Sequence, residues 1–288
     1  VINILLDVYF VAEVQMGVGG VALATVIAQG ISSALCLVKL ARMRATFDFG
    51  VKQLKPTKKH SAQIVRLGLP SGLTQMIFSS AMIVVQSLTN SFGETLIAAN
   101  VIVMRVDGFA MMPNFSFGTA LTTYTGQNVG ARRLDRVATG AKQGTLIALA
   151  TSATITLIIL IFGRQLMSLF TSTPSLIDQS MYQMRILAVG YIAMAVTQCL
   201  SGVMRGAGDT VTPMWVSLMT TVLIRVPVAY GISFLTRTPE LPVGRFECIP
   251  GSLLISWVLG AVMSSIAFAA GKWKKKMYMH KSVGPELD

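Results

Sequence analysis

The sequence predicts an all-α polytopic membrane protein, built as a bundle of membrane-spanning helices. Its composition is 53% hydrophobic and only 12% charged, with a mean hydropathy of +0.64. In a soluble domain about a quarter of the residues are charged. Several apolar runs reach the ~20 residues that cross ~30 Å of hydrocarbon, which gives room for about six or seven spans in a lipid bilayer.

The excess of positive charge lies between the apolar runs. The formal net charge is +12, but the basic residues do not gather on one folded face, so we expect no nucleic-acid partner. Positive loops beside a membrane explain the charge. Cys36 and Cys199 lie in apolar runs and Cys248 in a predicted loop, a dispersion that favours neither a disulfide framework nor a zinc site.

The first 40 residues predict two helices. Residues 1–12 have the pattern of the end of a helix, and Gly17-Val18-Gly19-Gly20 opens a second helix that runs to about Leu40. Small residues at such spacing favour close packing between membrane helices. The chain opens at Val1 inside an apolar run, without a basic leader, so we expect part of a longer protein rather than a signal peptide.

A basic linker divides the chain. Residues 41–62 surround Pro56 with seven basic or histidine side chains and one acidic residue, and a basic tail follows at 272–288. The remaining spans are predicted at 63–91, 95–125, 137–163, 183–205, 211–235 and 251–271.

Orientation follows from the distribution of the basic residues. With the linker in the cytoplasm, 18 of the 24 basic residues lie in cytoplasmic segments or at their edges, and three lie outside. This asymmetry matches the positive-inside rule. We therefore expect a multi-pass protein of the cell (inner) membrane with a cytoplasmic linker and tail.

Two neighbouring apolar runs, within residues 68–131, carry polar side chains at helical spacing. Steps of three and four residues place each set on one face of its helix. Because a polar face is costly against lipid, both faces should point at protein or at a water-filled space. The first set is Gly68, Gly72, Gln75, Ser79, Met82, Gln86 and Asn90, and the second is Asn100, Met104, Asp107, Met111, Asn114, Gly118, Thr122 and Thr125.

Asp107 is the leading candidate for function. It lies about twelve residues into its span, so ~18 Å deep at 1.5 Å per residue. An intramembrane carboxylate indicates cation coordination, proton carriage or pairing with a cationic ligand. Arg225 lies about as deep in another helix, so a structural ion pair is the alternative, whereas Arg105 cannot share a helix face with Asp107.

The other candidate pathway residues are amides and aromatic residues. Gln75, Gln86 and Asn90 either line a cavity or hydrogen-bond between helices, and Asn100 and Asn114 share the face of Asp107. Methionines crowd the same hairpin beside Phe109, which suits a pocket for varied apolar cations, although each could be core filler. Tyr191 and Gln198 lie on a compatible face of their own span.

Prolines inside predicted spans mark either hinges or static bends. Pro70, Pro113 and Pro227 each remove a backbone donor and can kink a helix. Pro113, six residues after Asp107, is the best hinge candidate.

The sequence offers no catalytic set. His60 and His280 occupy separate polar segments, which supports neither a metal site nor a histidine base. A phosphate loop of the Walker type is absent. We expect a protein that is not an enzyme and that needs no cofactor.

Five motifs in order resemble one known family. The chain resembles the carboxyl-terminal half of the MATE (multidrug and toxic compound extrusion) transporters over essentially all its length. The motifs are Gly68-Leu69-Pro70; Arg105-x-Asp107-x-Phe109 with Pro113; Gly126-Gln127-Asn128-x-Gly130-Ala131; Arg205-Gly206-x-Gly208-Asp209-Thr210 with Pro213; and Arg225-x-Pro227.

The resemblance implies twelve helices in two six-helix lobes, which expel organic cations or other drugs in exchange for H⁺ or Na⁺. Residues 1–40 would then end the first lobe as its last one to two helices, 41–62 would link the lobes, and 63–271 would form the second. The partner lobe with the first four helices would be missing. Some sodium-dependent members carry a glutamate where this chain has Phe78, and their aspartate in the tenth helix has no counterpart here, so the coupling ion stays open.

Two alternatives remain beside the multidrug antiporter. A lipid-linked sugar flippase of the same superfamily would need several cationic residues in its cavity, and here Arg105 and Arg225 are the candidates. A non-transporting half-protein is the other alternative. A membrane-embedded enzyme is disfavoured because no acid, base or nucleophile cluster is present.

Overall fold

The computed structural model describes residues 1–42 and 56–274, and this part of the chain is helical without a β-strand. The apolar runs form helices because a backbone in hydrocarbon must satisfy its own hydrogen bonds. The α-helices are α1 (Ile2–Val8), α2 (Gly17–Arg42), α3 (Lys58–Asn90), α4 (Glu94–Gly130), α5 (Leu134–Ser168), α6 (Pro174–Ala188), α7 (Gly190–Gly206), α8 (Val211–Ser217), α9 (Arg225–Leu235) and α10 (Cys248–Ala269), with π-helical segments at Tyr9–Glu13 and Leu218–Ile224.

The helix lengths confirm the predicted fold class of an all-α polytopic membrane protein. Six helices of the described part are long and apolar enough to cross a membrane, or seven if the pair α6–α7 counts as one span. The predicted span 183–205 needs correction, because its helix begins at Pro174 and bends by 46° between α6 and α7. The predicted span 211–235 contains the π-helical segment.

The described residues fall into two compact units, Val1–Gln63 and Ile64–Asp288. In the first unit α1 packs on α2, and a side chain on Gly20 would approach the Cβ atom of Phe10 to 2.9 Å, as the predicted close packing requires. Most of the predicted linker and tail, residues 43–55 and 275–288, lies outside the described residues.

Closely packed glycines join α4 and α7 in the second unit. A side-chain carbon on Gly202 would collide with the backbone of Gly118, and one on Gly206 with the carbonyl oxygen of Thr122. Membrane helices associate through such small residues, since hydrocarbon provides little drive for apolar side chains to leave it. Part of the predicted polar stripe of α4 therefore faces α7 rather than a cavity.

The bend between α6 and α7 occurs without a proline, and side chains from neighbouring helices donate hydrogen bonds to backbone carbonyls on either side of it. The Thr156 hydroxyl donates to the carbonyl oxygen of Ala188 at 2.9 Å, and Nδ2 of Asn114 donates to that of Tyr191 at 3.2 Å. Gly190 lies against the ring of Trp257, where a Cβ atom would approach Cε3 to 2.5 Å. No proline in the sequence marks this bend, so none of the predicted hinges lies here.

A proline accounts for the second π-helical segment, Leu218–Ile224. Pro227 cannot donate to the carbonyl of Leu223, four residues earlier, so the regular ladder is interrupted, and Leu218–Ile224 widens into π-turns. Pro70 and Pro113, in contrast, lie inside uninterrupted helices. Their roles as hinges stay predictions.

Cys248 was expected in a loop, and the structure corrects this. It is the first residue of α10 and is fully buried. Its neighbours Phe246 and Ile249 belong to the same small core cluster, which explains the burial.

Candidate functional site

A cavity of about 230 Å³ opens around Asp107. We call it the carboxylate chamber. Its walls come from α3, α4, α6, α9 and α10, and they are mainly apolar. Its lining residues are Phe78, Met82, Val85, Gln86, Thr89, Asn100, Val103, Met104, Asp107, Gly108, Met111, Phe115, Gln183, Leu187, Arg225, Ile249, Pro250, Leu253 and Trp257.

One oxygen of the Asp107 carboxyl group is free to accept a hydrogen bond or to contact a cation. Its Oδ1 atom is buried and has no hydrogen-bond partner among the described residues. The Tyr191 hydroxyl lies within hydrogen-bond reach of this carboxyl group and also contacts Sδ of Met184 at 3.1 Å, so Oδ1 is the oxygen that stays open to a ligand. An ionised carboxylate only accepts hydrogen bonds, so it would bind a cation or a donor group.

Arg225 lines the same chamber but does not neutralise Asp107 directly. It is only 5% exposed, and its Nη1 atom contacts Met82 Sδ, a weak acceptor, at 3.6 Å. Its Nε has no partner in the described part of the chain. No ion pair joins it to Asp107, both of which are described residues.

Gln183 is a lining residue that the sequence analysis missed. It is 1% exposed, and its Nε2 atom finds no acceptor among the described residues. A periodic signal was present, because Gln183, Leu187, Tyr191 and Gln198 continue one helical stripe in steps of three and four. Extending the predicted stripe backwards from Tyr191 would have found it.

A second cavity, of about 280 Å³, adjoins the first. We call it the hydroxyl chamber. Its walls come from α3, α4, α7, α8, the second π-helical segment, α9 and α10. Its lining residues are Thr74, Gln75, Phe78, Phe115, Thr119, Met194, Thr197, Gln198, Ser201, Arg205, Ser217, Thr220, Thr221, Arg225, Leu253, Ser256, Trp257 and Gly260.

Arg225 and four apolar side chains line both chambers and form their common wall. The apolar residues are Phe78, Phe115, Leu253 and Trp257. Sequence analysis missed Trp257 and Arg205 as lining residues. Trp257 is one large apolar residue among many in its span and gives no signal, whereas Arg205 extends the helical spacing of Gln198 and Ser201 by one turn.

Four of the predicted amides reach a chamber. Gln86 and Asn100 line the carboxylate chamber, and Gln75 and Gln198 line the hydroxyl chamber. Asn90 lines a shallow groove beside Gln86, whose Nε2 donates to its Oδ1 at 2.9 Å.

Two predicted pathway residues are packed in the core instead. Asn114 is 1% exposed and joins three helices: it donates to Tyr191 on α7 and accepts from the Ser152 hydroxyl on α5 at 2.6 Å. Tyr191 is fully buried, with its ring 5.7 Å from that of Trp257. Neither side chain lines a chamber.

Arg105 and Phe109 lie on another side of α4. The Arg105 guanidinium lies over the Phe170 ring at 5.8 Å from its centroid, and Phe109 is 67% exposed in an apolar groove that Phe170 also lines. The structure therefore does not bring these two predicted residues to either chamber.

Membrane-length helices surround two adjoining chambers, one with a buried carboxyl oxygen that has no partner among the described residues, and this arrangement is typical of membrane transport proteins. The MatE family model matches residues 70–231, more than half of the chain. The chain belongs to this family, the MATE transporters, as the motifs indicated. The family consists of transporters, which agrees with the prediction that the chain is not an enzyme.

Curated relatives carry multidrug-resistance names. The "Probable multidrug resistance protein NorM" of Thermotoga maritima is 24% identical over 95% of this chain and 57% of its own length. The "Probable multidrug resistance protein YpnP" of Bacillus subtilis is 26% identical over 98% of this chain and 61% of its own. The chain thus spans about 60% of the length of these two relatives.

Solved structures share the fold. A MATE protein crystallised in the straight conformation superposes with a TM-score of 0.81 at 23% identity, over 97% of this chain and 61% of that one. An outward-facing multidrug resistance MATE family transporter of the MOP superfamily gives 0.82 at 23% identity, over 97% and 60%.

Proposed function

We propose that this chain forms the carboxyl-terminal lobe of a secondary multidrug antiporter that exports amphipathic organic cations in exchange for H⁺ or Na⁺. The observation that carries the proposal is the unpartnered Oδ1 of Asp107 in a mainly apolar chamber. The multidrug-resistance names of the relatives support the substrate class.

The chamber walls match an apolar cation. Met82, Met104 and Met111 offer flexible thioethers that adapt to different shapes, and Trp257 offers a π-face that attracts positive charge. Away from bulk water, Asp107 would attract a cation more strongly than a surface carboxylate does.

The same carboxylate would couple export to the ion. If the carboxylate binds one cation at a time, the cationic drug competes with the coupling ion, H⁺ or Na⁺. The drug and the ion would then displace each other within a transport cycle. The absence of an ion pair with Arg225, both being described residues, supports a working Asp107 over a structural pair. If the two residues formed a fixed buried ion pair, removing one partner would instead lower the stability of the protein by several kcal/mol.

A partner lobe would complete the transport pathway, since the relatives are longer than this chain. We expect that cells expressing residues 1–288 alone do not export cationic dyes, and that co-expression of the missing helices restores export. Efflux of a fluorescent cation from loaded cells measures this. Dye export by the chain alone would refute the half-transporter proposal. If no dye is exported even when all helices are present, the antiporter is refuted and a non-transporting protein is favoured.

The orientation is part of the proposal, with the linker and tail in the cytoplasm. In a Cys36→Ser background, Glu240→Cys should react with an impermeant thiol reagent applied to intact cells, and Lys58→Cys should not. Both positions are exposed, and the proposed topology places residue 240 outside the cell and residue 58 in the cytoplasm. Native Cys248 is buried and should stay unlabelled. Labelling at Lys58→Cys alone would invert the topology.

A flippase of the same superfamily remains the second candidate. Of the two arginines expected for it, Arg225 lines the chambers and Arg105 does not, but Arg205 lines the hydroxyl chamber. Binding of a lipid-linked diphosphate in preference to organic cations would favour this alternative.

A further inference from the structure

The charged side chains of the hydroxyl chamber are all positive. Arg205 and Arg225 line it, and no Asp or Glu does so within the described part of the chain. Neither arginine forms an ion pair with a described carboxylate. A guanidinium is a fixed cation that matches planar or tetrahedral oxyanions through paired donors.

Hydroxyl donors next to the arginines are also available. Ser201 precedes Arg205 by one turn of α7, and Thr221 precedes Arg225 by four residues. Both residues are buried, at 6% and 7% exposure, and line the chamber. Their hydroxyls donate to no described backbone or side chain, unlike those of Thr74 and Ser256, which donate to carbonyl oxygens at 2.8 and 2.9 Å.

We infer that the hydroxyl chamber is an anion subsite. It would take a carboxylate, sulfonate or phosphate group through Arg205 and Arg225, with Ser201 and Thr221 as further donors. This inference rests on the proposed function and assigns zwitterionic amphipaths as a substrate class. The cationic part of such a substrate would lie at Asp107 and its anionic part in the hydroxyl chamber.

The common wall makes the two subsites cooperate. Arg225 lines both chambers, so an anion paired with it would cancel the positive charge that opposes a cation at Asp107. A zwitterion should therefore bind more tightly than a cation of the same shape.

A matched pair of dyes tests the inference. Rhodamine B carries a xanthylium cation and a free carboxylate, and its methyl ester is the cation alone. Their binding to the chain in phosphatidylcholine nanodiscs is measured by fluorescence polarisation, with empty nanodiscs as background. Arg205→Gln should weaken rhodamine B about 10-fold, the scale of one charged hydrogen bond, and leave the ester unchanged.

The control variants separate charge from packing. Arg205→Lys should keep most of the affinity, and Arg105→Gln, which removes an arginine outside both chambers, should change neither dye. An equal loss of both dyes in Arg205→Gln, or no loss of either, would overturn the anion subsite. If neither dye binds even when the missing helices are co-expressed with the chain, the proposed function itself fails.

Competition on the native chain needs no variant. Benzoate should displace rhodamine B and leave the ester bound at least as tightly as before. Equal displacement of both dyes, or of neither, would contradict the inference. If replacing part of the phosphatidylcholine with phosphatidylglycerol abolishes rhodamine B binding, a lipid headgroup rather than a solute occupies the subsite. That result would overturn the assignment of zwitterionic substrates.

Discussion

The two chambers of this lobe share a wall but differ in charge and lining. The carboxylate chamber holds Asp107 among methionines and aromatic rings, whereas the hydroxyl chamber holds Arg205 among serines, threonines and amides. Arg225 and Trp257 belong to both. The lobe thus places an acceptor site beside a donor site, with side chains that line both chambers between them.

The difference in charge and lining between the two chambers follows from the helices that form their walls. α4 and α6 supply the carboxylate and the buried amide, and α7 with the second π-helical segment supplies four of the eight hydroxyl side chains that line the hydroxyl chamber. α4 and α7 touch where Gly118 meets Gly202. Neither helix can therefore move relative to the other without breaking this contact, and the walls of the two chambers should move together.

The largest effect is expected from breaking this crossing. In Gly202→Ala the new methyl group would meet the backbone of Gly118, and such overpacking costs about 1–3 kcal/mol or more. Both dyes should lose affinity together, and the thermal unfolding midpoint should fall.

Gly231→Ala is the matched control. Its new methyl group meets no atom within 4 Å, and alanine favours a helix by up to ~1 kcal/mol over glycine. The midpoint should hold or rise. If Gly202→Ala leaves both dyes and the midpoint at native values, the glycine crossing is not what joins the chambers.

A smaller and selective effect is expected at Gln183. Gln183→Leu removes a buried amide that has no partner for its Nε2, a group whose burial costs about 1–3 kcal/mol. We therefore expect a raised unfolding midpoint, with about 3- to 10-fold weaker binding of the rhodamine ester as one ligand hydrogen bond is lost. Calorimetry and polarisation give the two values.

Gln179→Leu, one turn earlier on α6 and outside both chamber linings, should change dye affinity little. Unchanged affinity in Gln183→Leu would mean that the amide does not contact the ligand.

The sequence predicted most of the spans and singled out Asp107 because both depend on local properties. Apolar length marks a span, and a lone carboxylate at its middle is costly wherever the helix faces. Helical spacing also placed Gln86 and Asn100 on the face of the cavity.

The sequence could not predict what depends on the neighbouring helices. Asn114 shares the stripe of Asp107, but α5 and α7 approach it and use both of its polar groups. Thr156 and Asn114 donate hydrogen bonds to backbone carbonyls on either side of the bend at Val189, and a search for prolines misses this bend. Arg105 and Phe109 were chosen by motif rather than by helix face, and they lie outside the chambers.

The most direct test of the central claim is the exchange of an ion for a cation at Asp107. Titration calorimetry of the rhodamine ester, in buffers of different ionisation enthalpy and with or without Na⁺, counts the protons or Na⁺ displaced per dye bound. We predict displacement by the native chain and by Asp178→Asn, which removes only a surface ion pair with Arg164. Asp107→Asn should abolish it and weaken binding about 10- to 100-fold, as expected for losing a charged contact of about 1.5–3 kcal/mol. Native affinity and native ion displacement in Asp107→Asn would contradict the account.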